Sequence, residues 1–317
     1  MTNLIFSLNV TLPIFLIILF GYILRKINLL SEDFIRVTNR YVFVVALPVM
    51  LYLDVAATDV KKDMNPGFFF FCLIVTVIMF LLIWLLSYIF LKDKSMVGAF
   101  AQASARGSAA LLGVAFVQNI CGNVGMTPLM IIAAVPFFNI LSVLILVCSA
   151  NTTDNQRKDY GKIKSSIINI AKNPIIIGIL LGLISSLLNI ELPAIPQKAL
   201  TMIANTATPM ALIAIGGGFD TRQAITKLKP ALCASFIKLI GLPLIFLPLA
   251  YKLGFRDSEM VAILIMLAAP TTVSCYVMAK NMNNDDVLTA NVIVLTTLLS
   301  AITLTLWIFI LRTFGCI

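Results

Sequence analysis

The chain has 317 residues, of which 60% are hydrophobic, 12% are charged and none is histidine, and its formal net charge is +9. A soluble domain carries roughly a quarter charged residues, so this composition excludes a soluble globular protein, and the hydrophobic content excludes a disordered one. The absence of histidine excludes Ser-His-Asp triads, Cys-His dyads and imidazole metal sites. We therefore expect a polytopic membrane protein without a metal or cofactor, with the lipid bilayer and not nucleic acid around it.

Ten apolar segments are long enough to cross the hydrocarbon of a bilayer, for which a helix needs about 20 residues. They are continuous apolar runs and lack the alternation of apolar and polar residues that marks a membrane β-barrel, so we predict helices. In chain order, the predicted spans cover roughly residues 4–24, 35–55, 67–91, 96–119, 125–149, 173–190, 198–219, 230–251, 259–281 and 287–311.

The distribution of Lys and Arg between the loops predicts the orientation. Of the 23 Lys and Arg residues, 15 fall in loops on one side of the predicted membrane, 6 on the other side and 2 inside it. Because cytoplasmic loops are enriched in Lys and Arg, the first side is predicted to face the cytoplasm. This places the N- and C-termini outside the cell membrane and the loop of residues 150–172 inside.

The loop 150–172 divides the chain into a first half, residues 1–149, and a second half, residues 173–317. Each half holds five predicted spans. An odd number makes the second half enter the membrane inverted relative to the first, which is the pattern of an inverted repeat. A shift of 164 residues aligns span 4 with span 9 and places Ala105 on Ala269. The loop itself is either a linker or an amphipathic helix on the inner surface.

Spans 4 and 9 are the least apolar of the ten. Span 4 carries a group of polar and small residues near its middle, namely Gln102, Ser104, Arg106, Gly107, Ser108 and Gly113, and span 9 carries Pro270 within the sequence AAPTTVS at 268–274. Proline and glycine weaken helices, and unwound backbone inside a membrane survives only beside protein or a water-filled cavity.

Paired interruptions at matching places in two inverted halves indicate a transporter binding site. At such a site, half-helix N-termini present free N–H groups and positive dipole ends to an anion. Alternatively, the small residues of the two spans form surfaces for helix packing.

Two cations are predicted inside the membrane. Arg106 lies about ten residues inside span 4, roughly 15 Å along a helix, where a charge costs at least about 2.5–3.5 kcal/mol. Its guanidinium suits a carboxylate bidentately; the alternative is a structural arginine that bonds free carbonyls at a helix break. Lys238 in span 8 is either a second anion contact, a fixed charge where related folds hold an exchangeable ion, or a lysine packed against carbonyls.

No carboxylate is predicted deep inside a span, since Asp54 and Asp220 end spans 2 and 7. Carriers driven by protons or sodium usually need a buried acid, so two buried cations without one indicate a substrate that is itself an anion. Uncharged polar residues of spans 5, 7 and 10 either line a cavity or form hydrogen bonds between helices; they are Asn139, Asn205, Thr206, Thr208, Asn291, Thr296 and Thr297.

Five segments, in this order and spacing, give the chain a family resemblance over essentially its whole length. They are ALPVMLY in span 2, ARGSAALLGVAF in span 4, VPFFNILSVLIL in span 5, ATPMALIAIGGGF in span 7 and LAAPTTVSCYVMAKNMNNDD in span 9. With them the chain resembles the auxin efflux carrier family of transporters, in its bacterial branch of malate and malonate permease-like proteins.

The resemblance implies an all-α integral membrane fold. Ten transmembrane helices would form two inverted five-helix repeats, with interrupted and crossing spans 4 and 9, as in the elevator architecture of sodium/proton antiporters and bile-acid symporters. Relatives commonly show Arg-x-Asn and then Gly-x-Pro at the span 4 crossover. Arg106 and Gly113 match that pattern, whereas Ser108 and Ala115 replace the Asn and the Pro.

Together, the residues and the resemblance predict a secondary transporter of small organic anions, not an enzyme. A homodimer is one assembly that it could form. Arg106 would bind a carboxylate, while Gly107, Gly113 and Pro270 would shape the crossover. The remaining predicted substrate contacts are Gln102, Ser104, Ser108, Asn139, Asn205, Lys238, Thr271, Thr272 and Ser274. The alternatives are an ion-coupled symporter of the bile-acid type, an integral-membrane enzyme, and a channel or sensor.

Overall fold

A computed structural model describes residues 2–57, 65–109, 116–118, 120–122, 125–149, 172–188, 190, 192–219 and 221–317. Within these ranges the regular structure is entirely helical and contains no strand. The predicted loop 150–172 and the predicted hinge residue Gly113 lie outside the described residues, apart from position 172.

The described helices of the first half are α1 (Thr2–Lys26), α2 (Glu32–Tyr41), α3 (Leu47–Ala56), α4 (Pro66–Phe90), α5 (Val97–Ala105) and α6 (Thr127–Ser149). A π-helical turn at Val42–Ala46 joins α2 to α3 without a break, and a 3-10 turn at Lys94–Met96 leads into α5. The start of α4 follows the usual capping rule, because Asn65 accepts a hydrogen bond from the Phe68 N–H at 3.1 Å and Pro66 is the first helical residue.

The helices of the second half are α7 (Pro174–Leu187), α8 (Ala194–Gly217), α9 (Thr221–Thr226), α10 (Leu228–Phe236), α11 (Leu242–Lys252), α12 (Asp257–Ala268), α13 (Ser274–Asn281) and α14 (Asp286–Thr313). A second π-helical turn, Ile237–Gly241, joins α10 to α11 into one continuous stretch. The extra residue of each π turn locally shifts which side chains face the neighbouring helices.

Among the described residues, six continuous helical stretches are long and apolar enough to cross a membrane: Glu32–Ala56, Pro66–Phe90, Thr127–Ser149, Ala194–Gly217, Leu228–Lys252 and Asp286–Thr313. The chain is therefore a multi-pass membrane protein. The number ten stays a prediction, since the helices within predicted spans 4 and 9 are short and α7 has 14 residues.

The buried apolar side chains form two clusters. The first joins α4, α5, α6, α10, α11, α12 and α14, and we call these helices the bundle. The second joins α1, α3, α7 and α8 with the π turn Val42–Ala46, and we call these elements the panel. Residues of α6 and α14 also enter the second cluster, so the panel and the bundle meet along these two helices, and α13 packs against the panel as well.

Two close helix pairs build the panel, α1 with α8 and α3 with α7. Glycine permits both approaches: a Cβ atom on Gly216 of α8 would overlap the Ile18 carbonyl oxygen, and one on Gly178 of α7 would lie 2.5 Å from the Pro48 carbonyl oxygen. Small residues at helix interfaces let membrane helices pack backbone to backbone. The two pairs are equivalent under the predicted repeat, which relates α1 to α7 and α3 to α8.

Gly216→Ala tests the packing of α1 on α8. Alanine is about 1 kcal/mol more favourable than glycine inside a helix, yet we expect this substitution to destabilise the protein by about 1–3 kcal/mol, because its methyl group would overlap the α1 backbone. The matched control is Gly241→Ala, whose Cβ would lie 3.8 Å from its nearest neighbour. A melting temperature of Gly216→Ala in detergent that equals or exceeds that of the control would contradict this packing.

Candidate functional site

Two interrupted helices meet at the centre of the molecule, within predicted spans 4 and 9. The first, α5, ends at Ala105, and Arg106 continues as extended backbone with φ −85° and ψ 129°. The second, α12, ends at Ala268, and the chain passes through Pro270 before α13 begins at Ser274. The Ser108 N–H donates a hydrogen bond of 2.9 Å to the Pro270 carbonyl oxygen, so the two unwound segments contact each other directly. We call this region the crossover.

Threonine side chains satisfy backbone groups that the two interruptions leave free. The Thr271 hydroxyl donates to the Ala103 carbonyl oxygen at 2.7 Å, and the Thr271 N–H donates to the Thr296 hydroxyl oxygen at 3.0 Å. An unpaired buried backbone group costs about 1–3 kcal/mol, so these bonds explain why the polar side chains of Thr271 and Thr296 lie at the crossover.

Lys238 lies behind the crossover and bonds both helix ends. Its side chain is fully buried, and its Nζ atom donates to the Ala105 carbonyl oxygen at 2.9 Å and to the Met266 carbonyl oxygen at 3.4 Å. These carbonyls belong to the last turns of α5 and α12, where the helix dipole concentrates negative charge. The structure thus pairs Lys238 with backbone carbonyls. It does not place this residue in the lining of the neighbouring cavity of about 530 Å³.

Gly107 lies between Lys238 and the opposite side of the crossover. A Cβ atom at this position would lie 2.9 Å from the Lys238 Nζ and 2.9 Å from the Ala269 carbonyl oxygen. Any larger side chain would therefore push the ammonium or the opposite backbone away. The need for glycine here is steric.

Arg106 projects from the side of the crossover opposite to Lys238, which we call its front, and is only 5% exposed. Its Nη2 donates to the Asn139 side-chain oxygen at 2.5 Å and its Nη1 to the Met278 sulfur at 2.9 Å. Asn139 is held in turn, since its amide donates to the Val135 carbonyl oxygen at 2.9 Å. Within the described part of the chain, no carboxylate lies within 4 Å of the Arg106 guanidinium.

A cavity of about 530 Å³ opens in front of Arg106, between the panel and the bundle. Its lining is mostly apolar, and among the described residues that line it only Arg106 and Asp54 carry a full charge. The panel contributes Ile14, Leu47, Met50, Leu51, Asp54, Ala204, Asn205, Ala207, Thr208 and Ala211; the bundle and crossover contribute Arg106, Gly107, Ser108, Asn139, Pro270, Thr271, Thr272, Ser274 and Thr297, among others.

Most of the predicted contact and hinge residues line this one cavity. Arg106, Gly107, Ser108, Asn139, Asn205, Pro270, Thr271, Thr272 and Ser274 all do so. Two other predicted contact residues bond the backbone and do not face the cavity. The Ser104 hydroxyl donates to the Phe100 carbonyl oxygen at 2.7 Å, and the Gln102 amide donates to the Cys275 carbonyl oxygen at 2.9 Å. Both side chains are fully buried inside the bundle and absent from the lining.

Asp54 also lines the cavity, although the sequence predicts it only as the end of a span. The cavity extends to the last turn of α3, where Asp54 lies. A signal was available in the sequence: Leu47, Leu51 and Asp54 follow the i, i+4, i+7 spacing of one helix face. Once Leu47 faces the cavity, Asp54 does too.

Lys238→Met tests the connection between the two helix ends. Removal of a buried charge relieves its desolvation cost, but the Ala105 and Met266 carbonyls would lose their partner, at about 1–3 kcal/mol for each group left unpaired. We therefore expect a lower melting temperature than in the wild type. Lys229→Met, an exposed position on α10, is the matched control. An unchanged melting temperature for Lys238→Met would show that the ammonium does not stabilise the crossover.

Comparison with known proteins places this site in a family context. A family model described as membrane transport protein matches residues 6–308. An uncharacterized transporter of Methanocaldococcus jannaschii is 23% identical over 314 residues, which cover 96% of this chain and 98% of the relative. YfdV, an uncharacterized transporter of Escherichia coli, is 24% identical over 312 residues, covering 97% and 98% of the two chains. A Rhizobium meliloti protein named "Putative malonate transporter" is 24% identical over 311 residues, covering 96% and 95%. The chain belongs to the Mem_trans family of membrane transport proteins, the auxin efflux carrier family.

Proposed function

We propose that the chain is a secondary transporter that carries small organic anions across the cytoplasmic membrane by alternating access at the crossover. The observation that carries this proposal is Arg106, a buried guanidinium that faces a cavity of about 530 Å³ and has no carboxylate partner within 4 Å among the described residues. A bound carboxylate would supply the missing counter-ion.

The electrostatics of Arg106 favour an anionic ligand. A charge at mid-membrane depth costs about 2.5–3.5 kcal/mol or more, and the two described partners of Arg106 are a neutral amide oxygen and a thioether sulfur. A guanidinium has five donors, so a carboxylate can pair with it bidentately in addition to, or instead of, these two contacts. The cost of burying the charge is then offset only when substrate is bound.

The first turn of α13 would add hydrogen-bond donors to the same ligand. Thr272 and Ser274 line the cavity, and their hydroxyl oxygens lie 3.3 Å apart. The N-terminus of α13 carries the positive end of the helix dipole, while the Cys275 and Tyr276 N–H groups already donate to the Thr272 and Val273 carbonyl oxygens. Arg106 and this helix end together suit a small carboxylate, either a dicarboxylate such as malate or malonate or an auxin-like monocarboxylate. The name of the Rhizobium meliloti relative supports malonate as the first substrate to try.

The position of the cavity supports alternating access. It lies between the panel and the bundle, which have largely separate apolar cores. In an elevator mechanism the bundle would carry the crossover and its substrate past a stationary panel. The equivalent helix pairs α1–α8 and α3–α7 support two inverted repeats of five spans each.

Charge sidedness supports the orientation proposed from the sequence, with the termini outside and residues 150–172 in the cytoplasm. In that orientation Asp54 and Asn205 lie in the outer halves of their helices, so the cavity would open to the outside. A sodium-coupled symporter of the bile-acid type would share this architecture. Uptake that depends on external sodium would favour that alternative.

Arg106→Ala tests the proposed substrate contact. Proteoliposomes that contain the wild type are expected to take up labelled malonate or malate saturably. Loss of a charge-assisted contact of about 1.5–3 kcal/mol should lower uptake at subsaturating substrate by about tenfold to a hundredfold in the variant. Arg36→Ala is the control, since Arg36 is exposed and pairs with Asp33 at the surface.

Two outcomes would count against the proposal. Unchanged uptake by Arg106→Ala would remove Arg106 from the substrate site. Wild-type flux that does not saturate, and that shows no counterflow when the vesicles are loaded with unlabelled substrate, would indicate a channel in place of a carrier. The melting temperature of each variant separates loss of binding from loss of folding.

A further inference from the structure

The cavity contains a carboxylate as well as a guanidinium. Asp54 lies in the last turn of α3, is exposed, and lines the cavity together with Leu47, Met50 and Leu51 of the same helix. These residues form one face of α3, because they are spaced by three, four and seven positions. The side chain of Asp54 therefore stands at the solvent-accessible end of the surface that leads to Arg106.

Asp54 has no close cationic partner among the described residues. It is in no ion pair within 4 Å. Of the elements packed on α3, helix α7 and the π turn Val42–Ala46 hold no ionisable side chain, and α8 holds only Lys198, which is exposed in its first turns. On α3 itself, Tyr52 is hydrogen-bonded to Ser185 of α7.

Beyond these elements, the residues that follow α3, 58–64, lie outside the described part of the chain and carry Asp59, Lys61, Lys62 and Asp63. Across the cavity from Asp54, the charged group is Arg106.

The charges of the described lining residues balance when the cavity is free, with one on Arg106 and one of opposite sign on Asp54. An anion bound at Arg106 neutralises the guanidinium and leaves the Asp54 carboxylate as excess negative charge. A proton on Asp54 restores the balance for a monoanion, and for a dianion it halves the excess. A nearby like charge disfavours an ionised carboxylate in this way.

Building on the proposed function, we propose that Asp54 is a proton-binding site coupled to the anion site, so that the transporter takes up a proton together with its substrate. The anion favours the protonated form of Asp54, and by linkage the proton favours anion binding by the same factor. The step moves no electrons and breaks no covalent bond other than that between the proton and its water donor. Asp54 thereby supplies the acid that the interior of the spans lacks.

Helix geometry sets the size of this coupling. Asp54 and Arg106 line the same cavity. Its α3 face extends about 10 Å from Leu47 to Asp54, and we take a separation of that order between a bound anion and the carboxylate. Two like charges about 10 Å apart, in surroundings intermediate between protein and water, change a protonation equilibrium by about tenfold. The effect is therefore large enough to measure, and it limits the total change in anion affinity on protonation of Asp54 to about tenfold.

The experiment is titration calorimetry of malonate binding to purified wild type and Asp54→Asn, at about pH 7 and pH 8, in buffers of different ionisation enthalpy. At these pH values malonate is doubly ionised, since carboxyl pKa values are about 4. For the wild type we expect a fraction of a proton, about one half at most, to be taken up per malonate bound, and an affinity that is weaker at pH 8 than at pH 7 by less than tenfold. For Asp54→Asn we expect no proton uptake and a constant affinity. Asp33→Asn, an exposed acid paired with Arg36, should behave as the wild type does.

The possible failures of the two proposals differ. Malonate binding without proton uptake in the wild type, or with equal uptake in Asp54→Asn, would overturn the role of Asp54 and leave the anion site intact. Absence of saturable malonate binding in the wild type would contradict the proposed function, and this inference with it. Asp54→Glu keeps an ionisable group and should retain the proton uptake, which separates loss of the acid from any loss of folding.

Discussion

The crossover depends on one buried ammonium group. The last turns of α5 and α12 converge inside the bundle, and each helix end carries the equivalent of about half a negative charge. Lys238 lies between them and donates to a carbonyl oxygen of each. Without this cation, two negative helix ends and their unpaired carbonyls would face each other in surroundings that contain little water to solvate them.

Lys238 and Arg106 have different roles, one structural and one proposed in ligand binding, and the sequence alone does not show which residue has which role. Lys238 is fully buried behind the crossover and is engaged with backbone oxygens. Arg106 is directed to the opposite side, where it faces the cavity and bonds only neutral groups among the described residues. Gly107 lies between them and leaves room for both. One cation thus stabilises the fold, and the other stays available for a ligand.

Six of the ten predicted spans correspond closely to described helical stretches that can cross a membrane, because long apolar runs have one stable arrangement in a bilayer. The predicted span 67–91 corresponds to α4, Pro66–Phe90, and the predicted break near Pro270 falls between Ala268 and Ser274. Proline favours a break locally but does not decide it alone, since Pro136 and Pro209 lie inside the continuous helices α6 and α8.

The direction of individual side chains could not be predicted in the same way. Ser104 and Arg106 are two residues apart, but the Ser104 hydroxyl bonds the backbone of its own helix whereas Arg106 reaches Asn139. Which face of a span meets the cavity is decided by tertiary packing, which span positions alone do not specify. The same reason explains Asp54: its place at the end of a span was evident, but the depth of the cavity follows from how the panel and the bundle meet.

The central claim is that the crossover cavity selects its ligand by negative charge. The most direct measurement is the melting temperature of the purified protein with a panel of mono- and dicarboxylates, each beside its uncharged amide. A ligand at a hundred times its dissociation constant stabilises the folded state by about 2.7 kcal/mol. At least one carboxylate should raise the melting temperature while its amide does not. If no carboxylate has an effect, or if the amides stabilise equally, the claim is contradicted.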